Sequence, residues 1–386
     1  MAGLLLAIIY ISFVSLGLPD ALLGAAWPLM QTDLRVPVSF AGGISLIIAI
    51  GTVISSLLSD RLTKWLGAGK IMVISVGMTA AALFGFSVST AYWQLCLWAI
   101  PYGLGAGSVD ASLNNYVALH YASRHMSWLH CMWGLGASIG PYIMGAALTG
   151  GMGWNTGYRI IALLQIVLTA VLMFSLPLWK KRKDEPGDNG EKPAALTLKQ
   201  TVGLRGAKEI LLAFFCYCAL EQTCILWGSS YLVLVNGLDE ETAAGLASLF
   251  MLGLTAGRFL SGFVTYKLND TNMIRLGQSI IVVGIVIMVL PLGRVGSMTA
   301  LALLGLGCAP IYPCVIHSTP EHFGEENSQA IIGVQMASAY LGVCAMPPLF
   351  GLIANHLSAA LLPVYLAAIH VVMILMCERL NWKTKH

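Results

Sequence analysis

Residues 103–141 read GLGAGSVDASLNNY over 103–116, a short polar turn, and WLHCMWGLGASIGP over 128–141. Both apolar parts are long enough to belong to bilayer-crossing helices, yet they contain a carboxylate, two amides and an imidazole. A charged group in hydrocarbon is costly, so it usually faces a cavity or a partner. Asp110 and Asn114 are four residues apart and share one helix face. This stretch predicts the polar lining of a path through a membrane.

Glycines recur through the same stretch, where they let neighbouring helix backbones approach closely. The glycines expected at such contacts are Gly103, Gly105, Gly107, Gly134, Gly136 and Gly140.

The composition places the chain among polytopic membrane proteins. Of 386 residues, 57% are hydrophobic and 10% charged, whereas a soluble chain carries about 25% charged residues. The net charge of +3 comes from basic residues scattered over loop ends, which predicts no nucleic-acid partner. The nine cysteines lie in apolar segments without metal-ligand spacing, so we interpret them as small buried residues. The apolar N-terminus lacks a basic leader and is interpreted as an uncleaved first span.

Apolar windows of about 20 residues predict twelve transmembrane helices. They lie near 4–30, 40–59, 70–88, 91–118, 127–150, 157–179, 208–235, 242–265, 273–292, 297–317, 328–354 and 359–378. The long polar interval after residue 180 reads as a flexible linker. We therefore predict an all-α membrane protein with six-helix bundles over 1–180 and 207–386, a cytoplasmic linker over 181–206 and a short cytoplasmic tail.

The two halves resemble each other at an offset of about 202 residues. The matches are Gly51 with Gly253, Leu58 with Leu260, Ser59 with Ser261, Leu66 with Leu268, and the Gly-Leu-Gly at 103–105 with that at 305–307. Gly136, Pro141 and Gly145 return as Gly342, Pro347 and Gly351 at an offset of about 206. Two parallel-related six-helix halves are typical of major facilitator transporters.

The distribution of Lys and Arg predicts the orientation. With both termini inside, the outer loops hold only Arg35, Arg159 and Arg294, while the inner loops and the C-terminal tail hold nearly all the others. Both termini are predicted to be cytoplasmic, in a multi-pass protein of the plasma membrane, which in a bacterium is the inner membrane.

Three acidic residues fall well inside predicted spans: Asp20, Asp110 and Glu221. Intramembrane carboxyl groups can bind and release protons, so we predict that these three couple transport to protons. Carboxylates that only hydrogen-bond to another helix are the alternative. Pro19, next to Asp20, is expected to loosen the backbone of the first span.

Amides, aromatic rings and an imidazole near these carboxylates predict the substrate site, since they suit the polar rim and apolar faces of a sugar. The candidates are Asn114, Asn115, His130, Trp133, Gln165, Gln222, Trp227, Tyr312, Gln335 and Tyr340. Helix–helix hydrogen bonding is the alternative for the amides, and an interfacial position is the alternative for His130. Trp27 and Tyr231 are expected in interfacial belts. His120, His125, His317 and His322 are expected to be solvated at loop edges.

Arg258 is the basic residue that lies well inside a span, where it would act as a gate or pair with an acidic group. The glycines of GLGAG follow no soluble strand, so they indicate helix packing and not a dinucleotide site. GxSxG, HExxH, Walker and haem-attachment motifs are absent from the sequence. We therefore predict no enzymatic activity, no cofactor and no bound metal.

The chain resembles the major facilitator superfamily over nearly its whole length. SSLLSDRLTKWLGAGK over 55–70 is similar to the signature loop between helices 2 and 3 of that superfamily, with Ser56 in place of its leading glycine. This likeness implies a gating role for Asp60 and Arg61. It also implies twelve helices in two pseudo-symmetric bundles that rock about a central site, usually in a monomer.

Within the superfamily, GLPDALLG at Asp20 and DASLNNY at Asp110 resemble the fucose-permease group of sugar:proton symporters. The likeness implies that Asp20 takes the proton, while Asp110 and Asn114 contact the substrate and relay protonation. The chain departs from that group where Asp110 replaces a glutamate and Asn115 a proline, which shortens the reach of the helix 4 carboxylate.

The sequence thus predicts import of a sugar or similar small hydroxylated solute with a proton, in a protein whose other partner is membrane lipid. Sodium is an alternative coupling ion, because carboxylates and carbonyls suit either ion. A proton-coupled efflux antiporter of drugs or metabolites is a second alternative, favoured by GASIGP in helix 5 and by 17 methionines. A sensor or scaffold that moves nothing is a third.

Overall fold

The computed structural model describes residues 2–179, 195–290 and 292–385. Within these ranges the chain forms helices and no strand. The helices are α1 (Ala2–Gly17), α2 (Leu22–Leu34), α3 (Phe40–Leu66), α4 (Ala68–Val88), α5 (Tyr92–His120), α6 (Ser123–Thr149), α7 (Gly153–Ser175), α8 (Leu198–Gly203), α9 (Ala207–Leu234), α10 (Glu240–Val264), α11 (Asp270–Val289), α12 (Gly293–Cys308), α13 (Ile311–His317), α14 (Thr319–Phe323), α15 (Glu325–His356) and α16 (Leu362–Lys385). The predicted all-α fold class is confirmed.

Among the described residues, 11 helical stretches are long and apolar enough to cross a membrane. The first joins α1 and α2, and another, Gly293–His317, joins α12 and α13. α5 is not one of the 11, but it is 29 residues long and is the helix predicted as the fourth span. The membrane-spanning character predicted from hydropathy is therefore confirmed.

The chain forms two compact units. The first comprises Met1–Tyr116 and Met132–Thr197, and the second comprises Val117–Cys131 and Leu198–His386. The predicted linker lies largely outside the described residues, so the domain boundaries at 180 and 206 stay predictions.

In the first unit, α4 packs along α7, and α3 meets α5 at a close crossing. A Cβ on Gly103 of α5 would lie 2.3 Å from the Ile48 carbonyl oxygen of α3, so only glycine permits this approach. The apolar core at one end of this unit includes Leu22, Trp27, Phe86 and Tyr158.

In the second unit, α10 packs against α12, and α9 packs against both α15 and α16. A Cβ on Gly305 of α12 would lie 2.0 Å from the Phe250 carbonyl oxygen of α10. Gly305 and Phe250 each follow their counterparts, Gly103 and Ile48, at the offset of about 202 residues found in the sequence. The repeated glycines therefore perform the same packing role in each unit.

Within the described residues, two spans are interrupted. Leu18, Pro19, Asp20 and Ala21 form a turn between α1 and α2, as expected from the proline. A second interruption at Ala309 and Pro310 separates α12 from α13, and the sequence reading did not predict it.

Candidate functional site

The carboxylate of Asp20 lies at the interruption of the first span. Residues 18–21 have turn geometry, and the backbone N–H of Asp20 donates to the Gly17 carbonyl oxygen at 3.2 Å. The Asp20 side chain is exposed. An acidic group at a broken transmembrane helix is the arrangement in which transporters commonly hold ions or substrates.

The indole of Trp133 in α6 donates its Nε1–H to the Asp20 carboxylate at 2.7 Å. The two helices come close enough for this bond because small residues line their crossing. A Cβ on Gly17 would lie 2.2 Å from the Trp133 carbonyl oxygen, and a Cβ on Gly136 would lie 2.0 Å from that of Val14. The backbone crossing therefore fixes the position of Trp133 beside Asp20.

A second carboxylate–amide pair lies on α5. Asn114 donates from Nδ2 to Asp110 Oδ1 at 2.7 Å, as expected from their shared helix face. Asn114 is fully buried, Asn115 is 7% exposed and Asp110 is half-buried.

A narrow cleft in the first unit connects this region to α7. Its lining includes Ser15, Asp20, Thr79, Tyr102 and Gln165, and it has room for about one water molecule. Gln165 is buried and donates to the Ser15 carbonyl oxygen at 2.6 Å. Its amide thus joins α7 to the end of α1, next to the interruption.

Glu221 lies in the second unit, in a buried polar cluster with Tyr217 and Arg258. The Tyr217 hydroxyl donates to Glu221 Oε2, and Arg258 Nη2 lies 3.5 Å from Glu221 Oε1. The Arg258 side chain is 3% exposed and that of Glu221 is 13% exposed. Arg258 therefore pairs with an intramembrane carboxylate, one of the two roles that the sequence left open.

Aromatic rings surround this cluster. The His130 ring lies 4.4 Å from that of Tyr312, which in turn packs on Phe214 and Tyr217. The Tyr312 hydroxyl donates to the Met336 sulfur at 3.2 Å. The structure therefore brings His130, Tyr312, Glu221 and Arg258 into one neighbourhood of the second unit.

Other predicted substrate residues of the second unit have structural partners. Trp227 donates to the Pro347 carbonyl oxygen at 2.9 Å, and fully buried Gln335 accepts a hydrogen bond from the Thr319 hydroxyl at 3.2 Å. Gln222 and Tyr340 are half-buried. Their assignment to the substrate site stays a prediction.

Asp60 and Arg61, predicted to act in gating with Arg258, differ in environment. Asp60 is buried, pairs with Lys64 Nζ at 3.0 Å and accepts the backbone N–H of Leu196 at 3.2 Å. Arg61 is exposed. Asp60 thus holds the chain that enters α8 against the end of α3.

Sequence reasoning missed Tyr217 and was wrong about His317. Tyr217 precedes Glu221 by four residues, a helical spacing that could have identified it. The predicted solvation of His317 is wrong, because its ring lies 2.5 Å from Asp270 Oδ2 and 3.0 Å from the Tyr121 carbonyl oxygen. Those partners are distant in the sequence and no local pattern indicates them.

The sequence profile of the Major Facilitator Superfamily matches residues 9–347. Among relatives, "Bypass of stop codon protein 6" of Saccharomyces cerevisiae is 23% identical over 68% of this chain and 57% of its own length. The glucose/mannose transporter GlcP of Bacillus subtilis is 22% identical over 67% of this chain and 66% of its own length. The chain therefore spans less than two thirds of both relatives. The 4-hydroxybenzoate transporter PcaK of Pseudomonas aeruginosa is 24% identical over 92% of this chain and 89% of its own length.

Solved structures share the fold. FucP in the outward conformation gives a TM-score of 0.78 at 15% sequence identity, with 96% of this chain and 98% of FucP covered. The proton:xylose symporter XylE gives a TM-score of 0.75 at 11% identity, with 98% of this chain and 94% of XylE covered.

Proposed function

Because the chain belongs to the Major Facilitator Superfamily, a family of membrane transporters and not of enzymes, we propose that it imports a sugar or similar small hydroxylated solute together with a proton. In this proposal the solute crosses by alternating access, without a cofactor. The chain works as a monomer in the plasma membrane, surrounded by lipid, with both termini in the cytoplasm.

The observation that carries the proposal is the pair of hydrogen-bonded carboxylates in the first unit. Asp20 is exposed and held by Trp133, while Asp110 is held by Asn114. The cost of an uncompensated charge in the membrane falls when a carboxyl group is protonated. Proton binding would therefore permit the solute-loaded carrier to reorient, and release of the proton inside would precede the return of the empty carrier.

The same side chains suit a hydroxylated solute. Carboxylate and amide oxygens accept hydrogen bonds from hydroxyl groups, and the amide of Asn114 can donate to them. The Trp133 ring offers an apolar face beside Asp20. GlcP and XylE, whose names describe sugar transporters, support this substrate class.

Two observations favour a different substrate class, the hydroxylated aromatic acids. PcaK, whose name describes a 4-hydroxybenzoate transporter, matches more of this chain than GlcP does. The guanidinium of Arg258 is a group that binds carboxylates, as its ion pair with Glu221 shows. A hydroxylated aromatic acid is therefore the second candidate, and sodium coupling and drug efflux stay as further alternatives.

The test is proton movement in lightly buffered membrane vesicles that contain the chain. Sugars, 4-hydroxybenzoate, sodium and a panel of drugs are added one at a time while the external pH is recorded. We expect the medium to become more alkaline with one sugar, and we expect no change in vesicles with Asp20→Asn or Asp110→Asn. Solute exchange at equal concentrations should persist in Asp20→Asn, because exchange needs no net proton release.

Outcomes separate the candidates. If the pH changes only with 4-hydroxybenzoate, the substrate is an aromatic acid and not a sugar. If a sodium gradient drives accumulation at constant pH, the coupling ion is sodium and not the proton. If both Asp variants concentrate the solute as the parent protein does, the proton assignment is wrong.

A further inference from the structure

One face of α16 is exposed along most of the helix and ends in a basic and an aromatic side chain. Val364, Val371 and Leu375 are 62%, 53% and 58% exposed, and the row continues with Arg379 and Trp382, which are also exposed. Spacings that are sums of three and four residues place all five on one side of the helix. The rise of an α-helix makes the row about 12 Å long from Val371 to Arg379. This length is close to the hydrocarbon thickness of one leaflet, about 15 Å.

The Arg379 guanidinium is held in place by a buried carboxylate. Its Nε lies 3.2 Å from Oε1 of Glu209, whose side chain is 7% exposed. The Arg379 side chain is nevertheless 60% exposed. The two Nη groups, at the far end of the side chain, are the ones that can donate together to an oxyanion. A long, flexible side chain is therefore already ordered where a ligand would meet it.

The charge around this guanidinium is positive. Lys383 Nζ lies 2.6 Å from the same oxygen of Glu209, and Lys208, next to Glu209 in the chain, is exposed. Three basic side chains therefore accompany one carboxylate. The nearby carboxylate of Glu378 pairs with Arg275 at 2.6 Å, so its charge is already balanced.

A basic end and an apolar row on one helix face suit a ligand with an anionic head and an apolar chain. A soluble anion would use the basic end alone, and an uncharged lipid would use the row alone. Tryptophan favours the level of a membrane at which headgroups meet acyl chains, and the indole of Trp382 is 67% exposed beside the basic end. Basic side chains at that level attract anionic phospholipids.

We propose that this face of α16 binds an anionic phospholipid, with its phosphate on Arg379 and Lys383 and one acyl chain along Leu375 and Val371. A zwitterionic lipid such as phosphatidylcholine also has a phosphate, but it would bring an ammonium group into a basic cluster. The site therefore prefers a lipid with net negative charge, such as phosphatidylglycerol. It does not depend on which solute the chain moves.

Trp382 lies within the proposed site and serves as the probe. The parent protein and Trp382→Phe are reconstituted in phosphatidylcholine vesicles with a small amount of phosphatidylglycerol brominated on its acyl chains. A parallel set contains the same amount of brominated phosphatidylcholine. Bromine quenches an indole only at close range, and the difference between the two proteins isolates the fluorescence of Trp382. We expect brominated phosphatidylglycerol to quench Trp382 more strongly than brominated phosphatidylcholine does.

Arg379→Gln should lower this preference for phosphatidylglycerol about fivefold, the usual effect of one basic residue near a membrane surface. Lys70→Gln is the matched control, because it removes one positive charge at an exposed lysine of α4. It should leave the preference at Trp382 unchanged. Equal effects of the two substitutions would mean that only the total charge of the protein matters, and the proposed site would be wrong.

Two further results would overturn the proposal. Equal quenching of Trp382 by the two brominated lipids would mean that ordinary boundary lipid covers the row. Soluble glycerophosphoglycerol has the headgroup without acyl chains and should not relieve the quenching even in excess. If it does relieve the quenching, the basic end binds soluble anions and the apolar row has no part. These measurements involve no solute, so failure of the proposed transport function would leave their outcome unchanged.

Discussion

The Trp133 indole donates to the Asp20 carboxylate at 2.7 Å, although 113 residues separate the two in the chain. A hydrogen bond to an ionised acceptor is stronger than one between neutral groups. This bond orients the carboxylate at the interruption of the first span. Trp133 therefore acts on the same group that we propose to carry the proton.

Trp133→Phe should weaken proton-driven accumulation of the solute more than solute exchange. Phenylalanine keeps an aromatic ring at this place but has no N–H, so Asp20 loses the donor that orients it. Initial rates of accumulation and of exchange in vesicles measure the two effects.

Trp154→Phe is the matched control, because Trp154 also donates to a carboxylate, that of Asp33, at 2.8 Å in the same unit. It should leave the ratio of accumulation to exchange unchanged. Equal changes of this ratio in both variants would contradict a specific role for Trp133.

Asn114→Leu should raise the KM for the solute about tenfold, because a buried amide next to Asp110 is lost. The maximal rate should change less, since Asp20 and its donor remain. Uptake measured over a range of solute concentrations separates the two constants. Asn155→Leu removes an amide that donates to the Ser87 carbonyl oxygen at 3.1 Å and should leave KM unchanged. If Asn114→Leu leaves the KM for the solute unchanged, Asn114 does not belong to the substrate site.

The sequence was sufficient to predict where helices lie, because the length of an apolar run and its lack of charge are local properties. It also predicted a loosened backbone at Pro19, since proline lacks the N–H that a helix interior needs, and the structure has a turn there. The Asp110–Asn114 bond followed from spacing within one helix.

Contacts between helices were not accessible in this way. Hydropathy does not define the rotation of a helix about its axis, so the partner of Trp133 could not be predicted. The same holds for His317, whose neighbours Asp270 and Tyr121 come from two other parts of the chain. Such partners depend on tertiary packing, and the sequence alone offers only candidates.

Gly136→Ala should destabilise the protein by about 1–3 kcal/mol, the usual cost of overpacking. The new Cβ would lie 2.0 Å from the Val14 carbonyl oxygen, so α1 and α6 must move apart. Gly145 lies on the same helix, and a Cβ added there would meet nothing within 4 Å. Gly145→Ala should therefore be neutral or slightly stabilising. Thermal unfolding in detergent measures both. Equal melting temperatures would mean that the α1–α6 crossing adjusts freely.

Removing one member of the Glu221–Arg258 pair should destabilise the protein strongly. Arg258 Nη2 lies 3.5 Å from Glu221 Oε1 and both side chains are largely buried, so either single change removes the opposite charge beside a buried group. Glu221→Gln and Arg258→Gln should each cost about 3–5 kcal/mol, and the double variant should cost less than the two single changes together.

A surface pair provides the contrast. Arg275 Nη2 and Glu378 Oε2 are only 2.6 Å apart, but their side chains are 51% and 42% exposed. Water and ions screen such a pair, so Glu378→Gln should change stability by no more than about 1 kcal/mol. The longer pair thus matters more than the shorter one, because burial and not distance determines the cost of breaking it. If Glu221→Gln costs no more than Glu378→Gln in denaturation measurements, the buried Glu221–Arg258 pair does not stabilise the fold as we predict.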